Sequence, residues 1–416
     1  MTTLIINIGQ LIGTRTDTKV LRGKELVDLP FIENAFLLIE DGIIADYGNM
    51  YELDLKIPAL PDDVIDALGR FILPAWCDSH THLVFSGSRE TEFVDKIKGL
   101  TYAEIAARGG GILNSAKRIN EMSEEAIFIE SWKRLEEVSK LGTGAIEIKS
   151  GYGLSVAGEL KILRVIKKLR QRSSLTIKAT FLGAHAYPLE FINDHESYID
   201  LVINEMLPVI ATEQLADYID VFCETGFFSP EETATICKAG MSLGLKPKLH
   251  VNQLNSIGGI EVGVSLPAVS LDHLETLTDA EIAILSNENW AGLCTLLPSA
   301  AFFLRMPYQP ARELVNAGCA IALASDYNPG SSPSGNMNLV VSLSCIQMKL
   351  LPEEAINAAT INGAYAMECG DQLGSITVGK KANLLFVKPI PSLAYLPYSF
   401  GSNLIDDVMI NGGFIF

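Results

Sequence analysis

"RFILPAWCDSHTH", residues 70–82, passes from an apolar run into two histidines set one residue apart. Residues two apart on a strand face the same side, so His80 and His82 project together while Thr81 points away. A buried strand ending on two imidazoles is what a parallel barrel presents at its mouth, where active sites are built from strand carboxyl ends. Taken alone, the pair has two readings: a chelating pair, or two hydrogen-bonded polar residues where a strand reaches solvent.

Seven further segments repeat the pattern of apolar strand followed by amphipathic helix or long loop. They are "TGAIEIKS" (143–150), "TIKATFLGAHA" (176–186), "DYIDVFCE" (217–224), "KPKLHVNQ" (246–253), "AVSLDHLE" (268–275), "WAGLCTLLPS" (290–299) and "CAIALASDYN" (319–328). Counting the opening stretch as one strand, eight strands alternating with helices predict an α/β fold, a (β/α)8 TIM barrel over residues 71–370. Residues 1–70 read as short β segments without helical periodicity, among them "TLIINIGQLIG" and "FLLIEDGIIADYG". The tail, 371–416, returns to such segments in "GSITVGKKANLLFVKP" and "DDVMINGGFIF". Both ends are expected to pair into one small β-sandwich domain beside the barrel, and 416 residues accommodate both units.

Nearly half the residues are hydrophobic, which supplies a large core. The net charge of −18 repels phosphate backbones and anionic lipid, so neither nucleic acid nor membrane is an expected partner. An anionic small-molecule substrate would need fixed cations in its pocket to overcome that field. Seven scattered cysteines without a C-x-x-C pair argue against both a disulfide framework and a thiolate zinc site. With no basic leader in "MTTLIINIGQLIGT" and no run of about 18 apolar residues, a cytoplasmic location is expected. A homodimer is left open.

Only four other histidines are present: His185, His195, His250 and His273. Three of them end predicted barrel strands; His195, in the polar "NDHES", reads as a surface residue. Asp326 in "ALASDYNPG" follows an apolar run, where a carboxylate requires a partner or a cation. Imidazoles with one carboxylate and no thiolate suit a single zinc or related divalent ion. The "GGGI" run lacks the phosphate-loop pattern and reads as a loop.

These residues sit in motifs that carry a family resemblance. "PAWCDSHTH", "HTHLVFSGSRETEF", "ARGGGI", "EIKSGYGLS", "FLGAHAYP", "HVNQ", "DHLE", "LLPSA", "SDYNPGSSPSGNM" and "AATINGAYA" occur in this order between about residues 70 and 385. Together they resemble the amidohydrolase superfamily and, within it, the imidazolonepropionase family. The resemblance implies a barrel of amidohydrolase type and one divalent metal per subunit, Zn2+ or Fe, on His80, His82, His250 and Asp326. It implies hydrolysis of 4-imidazolone-5-propanoate to N-formimidoyl-L-glutamate, the third step of L-histidine degradation. Substrate contacts would fall on Arg89, Tyr152, His185 and Gln253, and product contacts on Tyr152, Asn328, Gly330 and Ser331. Asp326, His273 and Gln253 would form the catalytic set, and Tyr102 is either a substrate contact or loop packing. Lys149 as a carbamylated bridge between two metals is the lesser alternative, since the "SGYG" context resembles a mononuclear site. Two departures stand out: Ala75 where glycine is more usual, and Gln253 where some relatives carry Glu, so that no carboxylate base exists there.

The residue chemistry is consistent with that assignment. A divalent ion lowers the pKa of a bound water to roughly 7. Asp326 is placed to accept the water's proton and deliver it to the leaving ring nitrogen, and His273 to hydrogen-bond the developing oxyanion. Arg89 offers a planar fork to a carboxylate; its other reading is a surface pair with Glu90 or Glu92. Two rival functions are an ammonia-releasing hydrolase of the same superfamily and a metal-free homologue with a structural role.

Overall fold

The computed structural model describes residues 1–100, 104 and 110–415, so Tyr102 and most of the segment before the "GGGI" run lie outside the described residues. Five strands come first: β1 (Thr2–Ile12), β2 (Phe31–Glu40), β3 (Ile43–Asn49), β4 (Asp63–Asp66) and β5 (Phe71–Pro74). Eight more follow at intervals, separated by helices: β6 (Trp76–Thr81), β7 (Thr143–Lys149), β8 (Thr176–Ala184), β9 (Tyr218–Cys223), β10 (Lys246–Val251), β11 (Ser270–His273), β12 (Leu293–Leu296) and β13 (Ile321–Leu323). The chain ends on β14 (Leu384–Val387), β15 (Ile405–Ile410) and β16 (Gly413–Phe414).

β6 to β13 form one parallel sheet in sequence order, each strand beside its predecessor. The sheet closes on itself where β6 meets the end of β13: His82 N donates to Tyr327 O at 3.0 Å, and Asp326 N to His80 O at 3.0 Å. A second clamp lies one turn of the pleat below, where the Asp78 carboxylate accepts Ser325 N at 3.0 Å and Ser325 Oγ at 2.6 Å. The result is the expected (β/α)8 barrel. Its helices begin on recognisable caps, among them the boxes Ser229–Glu232 and Thr278–Glu281, in which hydroxyl and carboxylate satisfy each other's backbone N–H. The first seventy residues also contain three short helical turns, Gly23–Val27, Met50–Glu52 and Leu53–Lys56, that an all-strand reading leaves out.

The two termini build the separate β-sandwich sheet, in the order β16-β15-β14-β5-β1-β2-β3 with β4 also on β1. The opening stretch does not form the single strand expected from its sequence. "RFILPAWCDSH" is two strands: Phe71–Pro74 lies between β1 and β14 in the terminal sheet, and only Trp76–Thr81 enters the barrel. The change of partner happens at Ala75, whose N–H goes to Asn383 O while that of Trp76 goes to Gly142 O. Ala75 is tolerated in place of glycine because Gly144 faces it; a Cβ at Gly144 would lie 2.7 Å from the Ala75 methyl.

Both faces of a parallel barrel strand are covered, so such strands ordinarily read as continuous apolar runs. Besides Asp78 at the seam, five charged positions break this rule. Glu147, Lys149, Asp220, Lys248 and Asp272 are almost wholly buried within β7, β9, β10 and β11, and each must find a charged or hydrogen-bonding partner inside the barrel.

The clamp at the closing seam gives a stability prediction. Asp78→Ala leaves the Ser325 N–H buried without an acceptor and should cost about 2–3 kcal/mol, read as a lowered urea midpoint. Ser325→Ala should cost less, because the carboxylate keeps the backbone donor.

Candidate active site

The carboxyl ends of the strands bring four imidazoles and a carboxylate together. His250 Nε2 lies 3.4 Å from His82 Nε2, and Asp326 Oδ1 lies 3.6 Å from Nε2 of both His80 and His82. His80 Nε2 is buried with no hydrogen-bond partner. Candidate ligand atoms of His80, His82 and His250, and likewise of His80, His273 and Asp326, lie within 4.8 Å of one another. His250 donates Nδ1–H to Asp220 Oδ2 at 2.9 Å, and His80 donates Nδ1–H to Asp272 Oδ2 at 2.6 Å. The Nε2 lone pairs of both rings therefore face the cluster. Lone pairs this close repel unless a cation lies among them. Donor spacings of 3.4 and 3.6 Å are close to the roughly 3.3 Å between ligands of a tetrahedral ion with bonds of about 2.0–2.1 Å. The residues fit a divalent metal.

Burial holds His80, His82 and His250 well below the usual imidazole pKa, which keeps them neutral as ligands require. His273 goes the other way: burial opposes its charge, but the Glu275 carboxylate, 3.3 Å from Nδ1, outweighs it and raises the pKa. Gln309 Nε2 fixes that same Glu275 oxygen at 2.8 Å. Burial lifts the Asp326 carboxyl to about 6, against the opposing pull of His273 and of hydrogen bonds from its own loop. The Asp326 and His273 backbones both have positive φ, 54° and 84°, in which non-glycine residues are rare and strained.

Lys149 does not reach the cluster as a ligand. Its Nζ contacts Glu147 Oε1 at 2.7 Å, Asp220 Oδ2 at 2.9 Å and Asp272 Oδ2 at 3.5 Å, and these carboxylates overcome the effect of burial and raise its pKa. An ammonium enclosed by three carboxylates favours the single-metal reading over a carbamate bridge at this position. His195 is partly exposed, hydrogen-bonded to Glu232 and stacked on Tyr187, away from the cluster.

A cavity of about 360 Å³ lies beside the cluster and is lined by Arg89, Lys96, Tyr152, His185, Gln253, Asn328, Gly330 and Ser331 together with apolar residues. His185 joins the two, stacked on His82 with ring centroids 5.2 Å apart. It donates Nδ1–H to Gly151 O at 3.1 Å, and burial lowers its pKa to about 4, so Nε2 is left as a neutral acceptor. Gly151, at φ 108°, is required here: a Cβ would lie 2.8 Å from His185 Nδ1. The loop that carries Tyr152 is wrapped around Glu159, whose buried carboxylate accepts the N–H groups of Gly151, Gly153 and Leu154.

Arg89 combines its two sequence readings. Its Nε donates to Glu92 Oε2 at 2.8 Å and Nη2 shares the same oxygen, yet the pair is mostly buried, with Arg89 only 12% exposed. Nη1 lies against Gly330, where a Cβ would come within 2.6 Å. Lys96, which the sequence reading passed over, donates to Gly330 O at 3.2 Å, and burial and Arg89 lower its pKa. With Glu92 neutralising one cation, Lys96 leaves this end of the cavity net positive. Asn328 organises the loop against which Arg89 and Lys96 rest: Oδ1 accepts Gly330 N and Ser331 N at 2.8 Å, and Ser331 Oγ donates to Asp326 Oδ2 at 3.1 Å.

The sequence reading also missed Asp220, Asp272, Glu275 and Glu159. The signal was present in "YIDVF" and "SLDH", where a charge sits in the middle of a strand covered on both faces. Glu224, which follows β9, does not enter the cluster; it accepts Leu254 N and Asn255 N and shapes the loop bearing Gln253.

Residues 231–415 match the Amidohydrolase family. An imidazolonepropionase of Flavobacterium johnsoniae is 59% identical over the full length of both chains, and one of Christiangramia forsetii is 57% identical, again over both full lengths. The chain belongs to the imidazolonepropionase family. Among solved structures, the guanine deaminase of E. coli superposes with a TM-score of 0.75 over 100% of this chain and 99% of that one, at 14% identity, a likeness of fold alone. Membership of an amidohydrolase family and the histidine cluster together support a divalent metal at this site. Among the described residues no helix is long and apolar enough to cross a membrane, and all seven cysteines are free thiols.

Gly151→Ala should displace His185 and Tyr152 together while the barrel stays folded. A shift of about 1 Å at such contacts should reduce kcat/KM by roughly 100-fold with little change in melting temperature; unaltered kinetics would show that this loop does not position the ligand.

Proposed function

We propose that the chain catalyses the hydrolytic opening of 4-imidazolone-5-propanoate to N-formimidoyl-L-glutamate, the ring-opening step of histidine degradation, as a cytoplasmic enzyme. The observation that carries the reading is the cavity itself, which is lined by Arg89, Lys96, Tyr152 and Gln253 and joined to the histidine–aspartate cluster through His185 and Ser331. Such a cavity suits a small ring bearing a carboxylate on a short tether. A neutral nucleobase would leave the net positive charge of Arg89, Glu92 and Lys96 without an anionic partner, which weighs against an ammonia-releasing activity.

His80, His82, His250 and Asp326 would hold the ion, and three imidazoles with one carboxylate suit zinc or iron. When bound, a divalent cation supplies Lewis acidity and makes water more acidic. The chain's residues account for the rest. Arg89 Nη1 and Lys96 Nζ bind the propionate, with Tyr152 beside them. His185 Nε2 accepts a ring N–H, and Gln253 presents a donor or acceptor but no base. Water adds to the ring carbonyl carbon. Asp326 takes one proton from that water and returns it to the ring nitrogen as the carbon–nitrogen bond breaks, leaving the formimidoyl group and a carboxylic acid whose remaining proton is released to solvent as it ionises. His273, held by Glu275, donates to the carbonyl oxygen as it gains charge. Asn328, Gly330 and Ser331 face the opened product.

Three measurements test this. Purified protein should contain about one zinc or iron per chain. It should accelerate loss of the imidazolone ultraviolet band over a chelated control without releasing ammonia, whereas ammonia from cytosine or guanine with no such acceleration would replace this reading.

Arg89→Met should lower kcat/KM by roughly 30- to 1000-fold, the equivalent of about 2–4 kcal/mol for a partly desolvated charge-assisted contact, with Arg89→Lys recovering part. Asp326→Asn should abolish turnover even where metal is retained; full activity in either Arg89→Met or Asp326→Asn would remove that residue from its role.

A further inference from the structure

Inside the barrel, beneath the histidine cluster, lies a set of buried charges that the reaction does not use. Glu147 bridges two lysines: Oε1 faces Lys149 Nζ at 2.7 Å, and Oε2 pairs with Lys248, whose ammonium also donates to Ser79 O and Ala366 O. Lys149 then reaches Asp220 Oδ2 at 2.9 Å and Asp272 Oδ2 at 3.5 Å. The same two oxygens accept the Nδ1 protons of His250 and His80. One ammonium thus connects β7 to an aspartate on β9, an aspartate on β11, and through them to histidines on β10 and β6. All three carboxylates and both lysines are buried.

We propose that Lys149 is a positioning residue for the metal centre: it holds Asp220 and Asp272 side by side so that His250 and His80 present Nε2 to one point. The inference rests on the metal-centre reading above. Two carboxylates sharing this space repel each other unless a cation lies between them, and an ammonium with three donors fixes both them and Glu147 at once. Partners that orient a ligating histidine are worth about 10- to 100-fold in metal affinity, and here a single residue orients two of them.

The test is the dissociation constant for Zn2+, measured by competition with a chromophoric chelator on the full chain after metal removal, with circular dichroism to show that the fold is kept. Lys149→Met should weaken Zn2+ binding by about 10- to 100-fold and alter the visible spectrum of the Co2+-substituted protein, which reports ligand geometry and which a merely structural loss would leave unchanged. The double variant Glu147→Gln, Lys149→Met removes one charge of each sign and should show the same loss; it decides the matter if the single variant fails to fold. Asp272→Asn, which cuts only the arm to His80, should fall between wild type and Lys149→Met. Wild-type protein that takes up no stoichiometric Zn2+ would overturn the metal-centre reading itself. Wild type that binds Zn2+, with folded variants within about 3-fold of its affinity and the same Co2+ spectrum, would overturn the role of Lys149 and leave the metal centre standing.

Discussion

Two backbone hydrogen bonds, from Asp326 N to His80 O and from His82 N to Tyr327 O, close the barrel and decide what else is possible. They join the first strand to the end of the last, so residues separated by most of the chain become neighbours in one pleat. The bonds also fix the direction of the chain after β13. To meet His80 O, Asp326 adopts a left-handed backbone, and the following residues turn at once into the loop where Asn328 accepts two N–H groups and Ser331 returns a hydroxyl to the Asp326 carboxylate. The seam that completes the scaffold is thus also one edge of the site.

The electrostatics follow two separate rules. The surface carries a large negative excess, which works against an anionic ligand. The cavity answers with Arg89 and Lys96 at one end, where Glu92 holds one guanidinium edge in place and subtracts a charge. Beneath the cluster the balance is different: two lysines and three carboxylates are buried close together, so each charge has an opposite neighbour within the barrel. Such an interior adds little net stability compared with apolar packing of the same volume, because desolvation offsets the attraction. Its effect is to make orientation specific.

How much of this was legible depended on the kind of signal each residue leaves. His80, His82, His250, His273 and Asp326 stood out because each follows an apolar strand, and the structure does bring them together. The eight barrel strands were legible for the same reason. Asp220 and Asp272 left the same trace as the histidines but in mid-strand, where a charge is easily taken for a surface position; recognising it required knowing that both faces are covered. The split at Ala75 had no compositional trace, because strands on either side of it are apolar and continuous in sequence, and only their partners differ. Lys96 and Glu159 lie on helices at intervals that look like ordinary solvated faces, and their roles come from loops that fold back on them.

The junction at Ala75 also bears on how the molecule is made. β5 is flanked by β14, roughly 300 residues later in the chain, and β6 is joined to the end of β13. During synthesis β1, β2 and β3 can pair as soon as they emerge, since they are neighbours in sequence. The strand bearing the first two histidines cannot be flanked on both sides until translation has passed β13, nor can β5 be until it has passed β14. A nascent chain therefore carries an apolar strand with an open edge for most of its elongation, roughly ten seconds to a minute at 5–20 residues per second. Ordering of the pocket is therefore a late event in a topology whose first barrel strand is completed by its last.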